Sequence, residues 1–529
     1  SAGGNHLPLQ PIRLAGPVSS AQPFTANPED GGIMNHQAPT VNTTRTRWSS
    51  SSPADQFVVE NPATGQPVTL VQGSGPDEVD QAVRAAHAGY LHWKQRPARE
   101  RGRYLRQVAD VIRAHADEIA ALESLEMGKP ITQARQFDVE TAISIFEYFA
   151  SVVEVLPSQA RDYGPVFDLT TLEPYGVIAG IVPFNWPPIH TAGKTAPALA
   201  VGNAIVLKPP EQTPSVVLRL VELIQSVLPD DVVHAVPGGG AVGAALAGHP
   251  LVGKVSFTGS PGTGSAVLRT VADNLTPSLM ELGGKNPLVV FDDAGLHEAL
   301  LAALDGGFFN QGEACTASSR ILVQDTIYAE FAAKLCTAVS RLRVGDGADP
   351  GTEVGPLVTR AQQKRVLDYL DIGVAEGARI AAAATLPDDP RLADGFYVAP
   401  TVLTDVTPGM RVAKEEIFGP VVSVIPFTDE DEAVRIANGT PFGLVAAVFS
   451  QDTDRAIRVS RRIRAGAVFV NNYVRLAVGT GFGGVGDSGS GREHAQETLA
   501  EYGYTKTIRL TANRDELQYW TAAARVLET

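Results

Sequence analysis

The feature that most limits what this chain can fold into is a rhythm. Short apolar, β-branched-rich runs at residues 177–182, 204–207, 232–236 and 252–257 are each separated from the next by a helix-length stretch. Adjacent parallel strands need crossovers of that length, so the spacing predicts a parallel sheet with helical connections. A second series follows, with strands at 287–291 and 320–323 and helices at about 296–309 and 328–342. The α/β class therefore continues past a first domain. A chain of 529 residues also exceeds what one hydrophobic core accommodates, which independently requires two or more domains. Ahead of the sheet, Leu105, Val108, Ile112, Ile119 and Leu122 recur near the helical period and predict a single amphipathic helix.

Charge and apolar content exclude several functions. A formal net charge of -15 repels phosphate backbones, so nucleic acid is not an expected partner. No apolar run is long enough to span a bilayer, and a soluble protein without membrane contact is expected. Two cysteines, Cys315 and Cys336, cannot supply a disulfide framework and fit a reducing, cytoplasmic setting. Residues 1–50 are rich in Pro, Gly, Asn, Ser and Thr, lack the pattern of a secretory signal and read as a flexible N-terminal extension. Two extended-looking pieces, 156–173 and 502–510, have no place inside a strand–helix–strand unit. They are either surface hairpins or segments that pair with another subunit.

The residues able to carry chemistry fall where this rhythm breaks. Cys315 follows a glycine break between a helix and a strand, in Phe309-Asn310-Gln311-Gly312-Glu313-Ala314-Cys315-Thr316. A loop thiol there is either reachable by substrate or an inert buried hydrophobe, whereas Cys336, mid-helix among Ala333, Leu335 and Val339, is assigned to packing. Glu281, inside an apolar stretch and followed by Gly283 and Gly284, is either an ordinary turn residue or a buried general base whose pKa is raised. Asn185, in Pro183-Phe184-Asn185-Trp186-Pro187, ends the first strand at the carboxyl edge where α/β folds bind ligands. There it either stabilises a proline-rich turn or donates a fixed amide to an oxyanion.

Lys208 and Glu211 lie just beyond another strand end, as a pair able to bond a ribose diol or as a solvated ion pair. Gly259, Ser260 and Gly264 join a strand to a helix whose free N–H groups would face a pyrophosphate. Glu416 and Phe418, ahead of a later strand, offer a carboxylate and a ring to a second ribose and its base.

Taken together, these segments resemble the aldehyde dehydrogenase superfamily from about residue 55 to residue 510. The similar motifs are Pro183 to Pro187, Lys208 to Glu211, Gly259 to Gly264, Glu281 to Lys285, Gly312 to Cys315 and Glu416 to Pro420, in the family's order, with a similar tail at Gly483-Gly484, Ser488-Gly489 and Gly491-Arg492-Glu493. The resemblance implies a Rossmann-like NAD(P)-binding domain at 51–155 and 175–283 and an α/β catalytic domain at 284–486. It further implies a small β oligomerisation extension from 156–174 and 500–512, in a homodimer or homotetramer.

It implies as well a reaction in which Cys315 attacks an aldehyde, Asn185 and a backbone N–H hold the oxyanion, hydride passes to the nicotinamide, and Glu281 activates the water that hydrolyses the thioester to the acid. Lys194 would favour the thiolate by its charge. Val182, Pro183, Phe184, Lys208, Glu211, Gly259, Ser260, Gly264, Leu282, Glu416 and Phe418 would hold the cofactor. Glu211 favours NAD by repelling an added 2′-phosphate, while Lys208 leaves NADP open.

Departures from the family pattern touch substrate rather than chemistry: Phe184 and Trp186 exchange the usual Trp and Phe around the Asn, and Gly486 replaces a common lysine. The substrate tunnel corresponds to Trp186, His190, Gly193, Ala314, Thr316, Leu476 and Phe482. Its apolar walls imply a hydrophobic or aromatic aldehyde, and Arg475 nearby offers a carboxylate partner instead. Two alternatives are a CoA-acylating semialdehyde dehydrogenase, against which the retained Glu281 argues, and a non-catalytic protein keeping only the fold.

Overall fold

The computed structural model describes residues 42–156, 158–473 and 477–527. The first 41 residues of the expected N-terminal extension, and the tunnel candidates Arg475 and Leu476, lie outside the described residues.

The first predicted series forms a six-stranded sheet in the order Gly489–Ser490, Ser278–Glu281, Val252–Thr258, Val177–Ile181, Ala204–Lys208, Val233–Ala235. All neighbours run parallel except the outer Gly489–Ser490, which pairs antiparallel with Ser278–Glu281. Every residue of Val177–Ile181 and Ala204–Lys208 is buried, because helices cover both faces. The two-residue period still shows in the partition of side chains. Ile178, Ile205 and Leu207 enter one apolar core, and Val177, Ala179, Ala204 and Val206 enter the other.

The second series forms a seven-stranded sheet in the order Arg379–Ala383, Thr401–Thr404, Val421–Phe427, Arg320–Gln324, Pro287–Val290, Val445–Phe449, Ala467–Val470. It too has a core on each face, with Val289 and Leu322 on one side and Leu288, Val290, Ile321 and Val323 on the other. The expected mixed α/β architecture is therefore present in both halves. A three-stranded sheet of Asn42–Thr44, Gln66–Gln72 and Gln56–Asn61 precedes them.

The two orphan pieces find each other. Val166–Pro174 lies between Gln159–Asp162 and Gly503–Thr511, and its antiparallel ladder with the latter runs unbroken from Pro174↔Gly503 to Val166↔Thr511.

One expectation is corrected. The apolar pattern from Leu105 to Leu122 belongs to two helices, Ala98–Ala114 and Ala116–Met127, separated at His115 by non-helical backbone (φ -115°, ψ 19°). Asp117 and Glu118 occupy the first turn of the second helix, where unpaired N–H groups favour negative charge. Leu105, Val108, Ile112 and Ile119 still share one core, so the periodicity survives the break. A smaller difference concerns the helix expected at 328–342, which spans Asp325–Val339 and follows its strand without a loop. Cys336 on that helix is half-buried and packs against the second sheet's core.

Among the described residues no helix is long and apolar enough to cross a membrane.

Candidate active site

A cleft of about 770 Å³ opens beyond the carboxyl ends of the first sheet and faces residues carried by the second half of the chain. Strand Val177–Ile181 contributes Ile181 and then Val182, Pro183, Phe184 and Asn185 from its outgoing turn, and Lys208 and Glu211 come from the turn after Ala204–Lys208. Gly259 and Ser260 add the start of helix Pro261–Ala272, and Leu282, Glu416 and Phe418 complete the predicted set.

Ser260 caps that helix, its Oγ accepting from Thr263 N–H at 3.2 Å. Lys208 Nζ donates to Glu211 at 2.6 Å; the lysine is buried, while 42% of the Glu211 side chain is exposed. Phe418 meets Phe184 edge to face at 5.8 Å. Glu416 accepts the Gly284 N–H at 2.9 Å, and burial pushes its carboxyl up to about 7. Gly264 alone of the predicted set is not part of the cleft wall. It lies one turn into its helix, where a Cβ would fall 2.7 Å from Leu282 Cδ2, so its smallness serves helix–strand packing.

The loop bearing Cys315 departs sharply from regular backbone. After helix Leu296–Phe308, Asn310, Gln311 and Gly312 are all left-handed, at φ 54°, 55° and 68°. Two consecutive non-glycine residues in that region are uncommon, and surrounding bonds hold them there. Asn310 Nδ2 donates to the backbone carbonyls of Asn185 and Glu313, at 3.0 and 2.9 Å. Gly312 is needed for contact as well as for φ, since a Cβ would sit 2.3 Å from the Gly419 carbonyl oxygen. Gly284 passes behind the Cys315 loop as closely: its Cβ would meet the Cys315 carbonyl oxygen at 2.4 Å.

Asn185 is fixed from both ends. Its side-chain Nδ2 donates to the Glu313 carbonyl at 3.1 Å, tying it to the cysteine loop. Its backbone carbonyl also accepts from Lys129 Nζ at 3.0 Å, and that fully buried ammonium is neutralised by Glu123 and Asp138. An amide clamped in this way needs no reorganisation to donate its remaining proton into the cleft, which Asn185 lines.

Two groups in this part of the site are pushed toward keeping their protons. The Cys315 thiol is pushed up by burial first and then by the negative charges of Glu281 and Glu416, against the opposing pull of nearby backbone N–H groups. The Glu281 carboxyl is pushed well above its ordinary range by burial and by the Glu493 carboxylate, and among the described residues neither of its oxygens has a hydrogen-bond partner.

Lys194 is held in a buried polar cluster. Its ammonium donates to Ser256, Thr258 and Glu493 at 3.1, 2.8 and 3.1 Å, so its charge is neutralised by Glu493. The strongest charges acting on Cys315 are anionic instead.

A second, narrow cavity reaches Cys315 from the other side, walled by Phe137, Trp186, Ile189, His190, Thr316, Phe482 and His494. Of the predicted tunnel residues, Trp186, His190, Thr316 and Phe482 are in this wall. Ala314 is buried outside it, and Gly193 lies behind it, where a Cβ would be 2.7 Å from His494 Cε1. Sequence reasoning missed Phe137, Ile189 and His494. It also missed Gln362 and Arg365, which reach the cleft from helix Arg360–Ala375 and bond the backbone carbonyls of Phe418 and Glu416, each at 2.6 Å. Phe137 could have been suspected only from its aromatic character; its ring packs edge to face on Trp186 at 5.6 Å and on Phe309 at 5.5 Å.

With this geometry in place, the likeness to known proteins is extensive. Residues 48–508 match the model of the aldehyde dehydrogenase family. The aldehyde dehydrogenase citD of Monascus ruber is 48% identical over 481 residues, covering 91% of this chain and 96% of its own length. An aldehyde dehydrogenase of Didymella fabae is 46% identical, with 91% and 97% covered. Among solved structures, betaine aldehyde dehydrogenase from Staphylococcus aureus in complex with NAD+ superposes with a TM-score of 0.86 at 36% identity, covering 90% of this chain and 95% of that one.

Proposed function

The chain belongs to the aldehyde dehydrogenase family, and from that premise we propose that it oxidises a hydrophobic or aromatic aldehyde to the carboxylic acid with NAD, through a thioester on Cys315. One observation carries this reading: Cys315 is the residue at which the wide cleft and the narrow cavity meet. A sulfur so placed can touch a substrate arriving from one side while facing a cofactor on the other.

The cleft fits a dinucleotide on its own features. A Cβ at Gly262, in the first turn of helix Pro261–Ala272, would have nothing within 4 Å, so that helix start leaves room for a bulky anion beside its N–H groups. The partly exposed carboxylate of Glu211 suits the two hydroxyls of a ribose and opposes an added phosphate, which favours NAD over NADP. Val182, Pro183, Phe184, Leu282, Glu416 and Phe418 would hold the remainder. When bound, the nicotinamide supplies an acceptor for the hydride that leaves the substrate carbon.

The chain's own residues do the rest. Cys315 gives up its proton to water in the cleft, and the sulfur forms a bond to the aldehyde carbon as the carbonyl electrons move onto oxygen. Asn185 Nδ2 and the Cys315 backbone N–H donate to that oxyanion. Loss of the carbon-bound hydrogen as hydride restores the carbonyl and leaves a thioester. Glu281, with its proton affinity raised by burial, then takes a proton from water; the resulting hydroxide adds to the thioester carbon and the C–S bond breaks, releasing the acid.

The walls of the narrow cavity support an uncharged substrate. Trp186 already has the Lys129 ammonium 4.3 Å from its ring centroid and is stacked on Phe309 at 5.9 Å, so this ring is engaged by a cation of the chain itself, which disfavours a second cation beside it. Assembly as a homo-oligomer is supported by strand Gly503–Thr511. It lies at the edge of its sheet and exposes Tyr504, Ile508 and Leu510.

The test is the absorbance of reduced nicotinamide on mixing protein, NAD and a panel of aldehydes, with Cys315→Ser as control. Turnover by the native protein and none by the variant is expected, and equal turnover by both would sink the proposal.

A further inference from the structure

The narrow cavity contains two groups that aldehyde oxidation at Cys315 does not use. His190 and His494 both stand in its wall and both are buried, at 5% and 2% exposure. Among the described residues, neither ring nitrogen of His190 has a hydrogen-bond partner, and neither does Nδ1 of His494. His494 Nε2 lies 3.9 Å from a Glu493 oxygen, too far for a hydrogen bond. The ring of His494 occupies the volume that any side chain at position 193 would fill, so Gly193 is what admits it.

Burial pushes both imidazoles below their ordinary range; the positive charges of Lys194 and Lys129 add to this at His190, which is shifted the further, while the Glu493 carboxylate opposes it at His494. A neutral imidazole presents one N–H donor and one bare acceptor nitrogen. The rest of this wall is aromatic or aliphatic apart from Thr316 and Cys315 itself.

The nearby formal charges are already matched, Lys194 with Glu493 and Lys129 with Glu123 and Asp138. A carboxylate or an ammonium on the substrate would find no free opposite charge among these groups. A hydroxyl, which donates once and accepts as well, matches a neutral imidazole pair.

We propose that this cavity selects an aromatic aldehyde whose ring carries a hydroxyl group, the oxygen accepting from one imidazole N–H and the proton going to the bare nitrogen of the other. The inference rests on the reading that the aldehyde is oxidised at Cys315, and it adds His190 and His494 as the residues that read the far side of the ring. A site built to bond a hydroxyl rejects the analogue lacking it, because its own polar atoms are then left unpaired.

The experiment uses the full chain with NAD and compares initial rates for benzaldehyde, meta- and para-hydroxybenzaldehyde and the corresponding methoxybenzaldehydes. At least one hydroxylated substrate should exceed benzaldehyde in kcat/KM by roughly 10-fold or more, mainly through KM, and its methoxy counterpart should lose that advantage. In His190→Leu the ratio should collapse toward one, and in His190→Gln, which keeps a donor and an acceptor, it should partly return. Oxidation of all these aldehydes by the native protein at similar kcat/KM overturns the inference while leaving aldehyde oxidation in place. A ratio that His190→Leu leaves intact, whatever its effect on the absolute rates, overturns it equally. If no aldehyde is oxidised at all, the underlying reading has failed and this one falls with it.

Discussion

The two cavities that meet at Cys315 are built on opposite principles. The wide cleft is lined by turns at strand ends, by a helix start and by carboxylates and a lysine, so its recognition is polar and comes largely from backbone geometry. The narrow cavity is walled by rings from elements far apart in sequence, Phe137, Trp186, Phe482 and His494, and among its wall residues none carries a fixed charge. One side is suited to a large, highly polar molecule of constant shape, and the other to a small neutral one. The difference separates the part of the molecule that sets the reaction from the part that sets the substrate.

The largest expected effect tests whether the two sides share a single reacting atom. Cys315→Ala should lower kcat by on the order of 10⁴-fold or more while NAD still binds, measured by turnover and by quenching of intrinsic fluorescence on titration with NAD. Turnover that survives the change would divide the two cavities into unrelated sites.

Asn185→Ala comes next. The backbone carbonyl that receives Lys129 and Asn310 remains, so the lost part is the side-chain donor, and kcat should fall roughly 10²- to 10³-fold with little change in either KM. A loss confined to KM would assign Asn185 to binding rather than to the oxyanion.

A pH profile sharpens the contrast further, because in the proposed reaction the thiol and Glu281 both act after losing a proton, and both are pushed toward holding it. The rate should therefore climb from neutral toward alkaline pH, by about tenfold per unit while a single proton loss controls it. A profile that falls over that range would contradict the sign of both shifts.

The smallest effect isolates the cleft. Glu211→Gln should raise the KM for NAD by about tenfold and narrow the preference over NADP, leaving the KM for aldehyde unmoved. Equal movement of both constants would show that the two cavities are not independent.

This contrast also accounts for what could be read from the sequence. Gly259-Ser260, Lys208-Pro209-Pro210-Glu211 and Gly312 through Cys315 were legible because strand-end turns, helix caps and left-handed positions restrict residue type locally. The alternation of strands and helices was legible for the same reason, since buried strands read as apolar runs. Helix Arg360–Ala375 gave no sign that Gln362 and Arg365 reach across to Phe418 and Glu416, because that depends on how two elements pack and not on either one alone. His494 is similarly silent: its left-handed backbone, φ 67°, and its place opposite Gly193 come from tertiary contact. The ion pair of Lys194 was not legible, because its partner Glu493 lies 299 residues away. The break at His115 was hidden because the two helices it separates bury their apolar residues in the same core.

The outermost strand of the first sheet, Gly489–Ser490, pairs with the strand that ends in Glu281, and the Leu282 N–H donates to the Ser488 carbonyl at 3.1 Å. The position of the Glu281 carboxyl thus depends on chain synthesised some two hundred residues after it. On the ribosome the nucleophile loop and most of both sheets emerge before this closing segment exists. A translation product that stops short of it would carry an intact Cys315 beside an unsecured base, able at most to become acylated and slow to be freed.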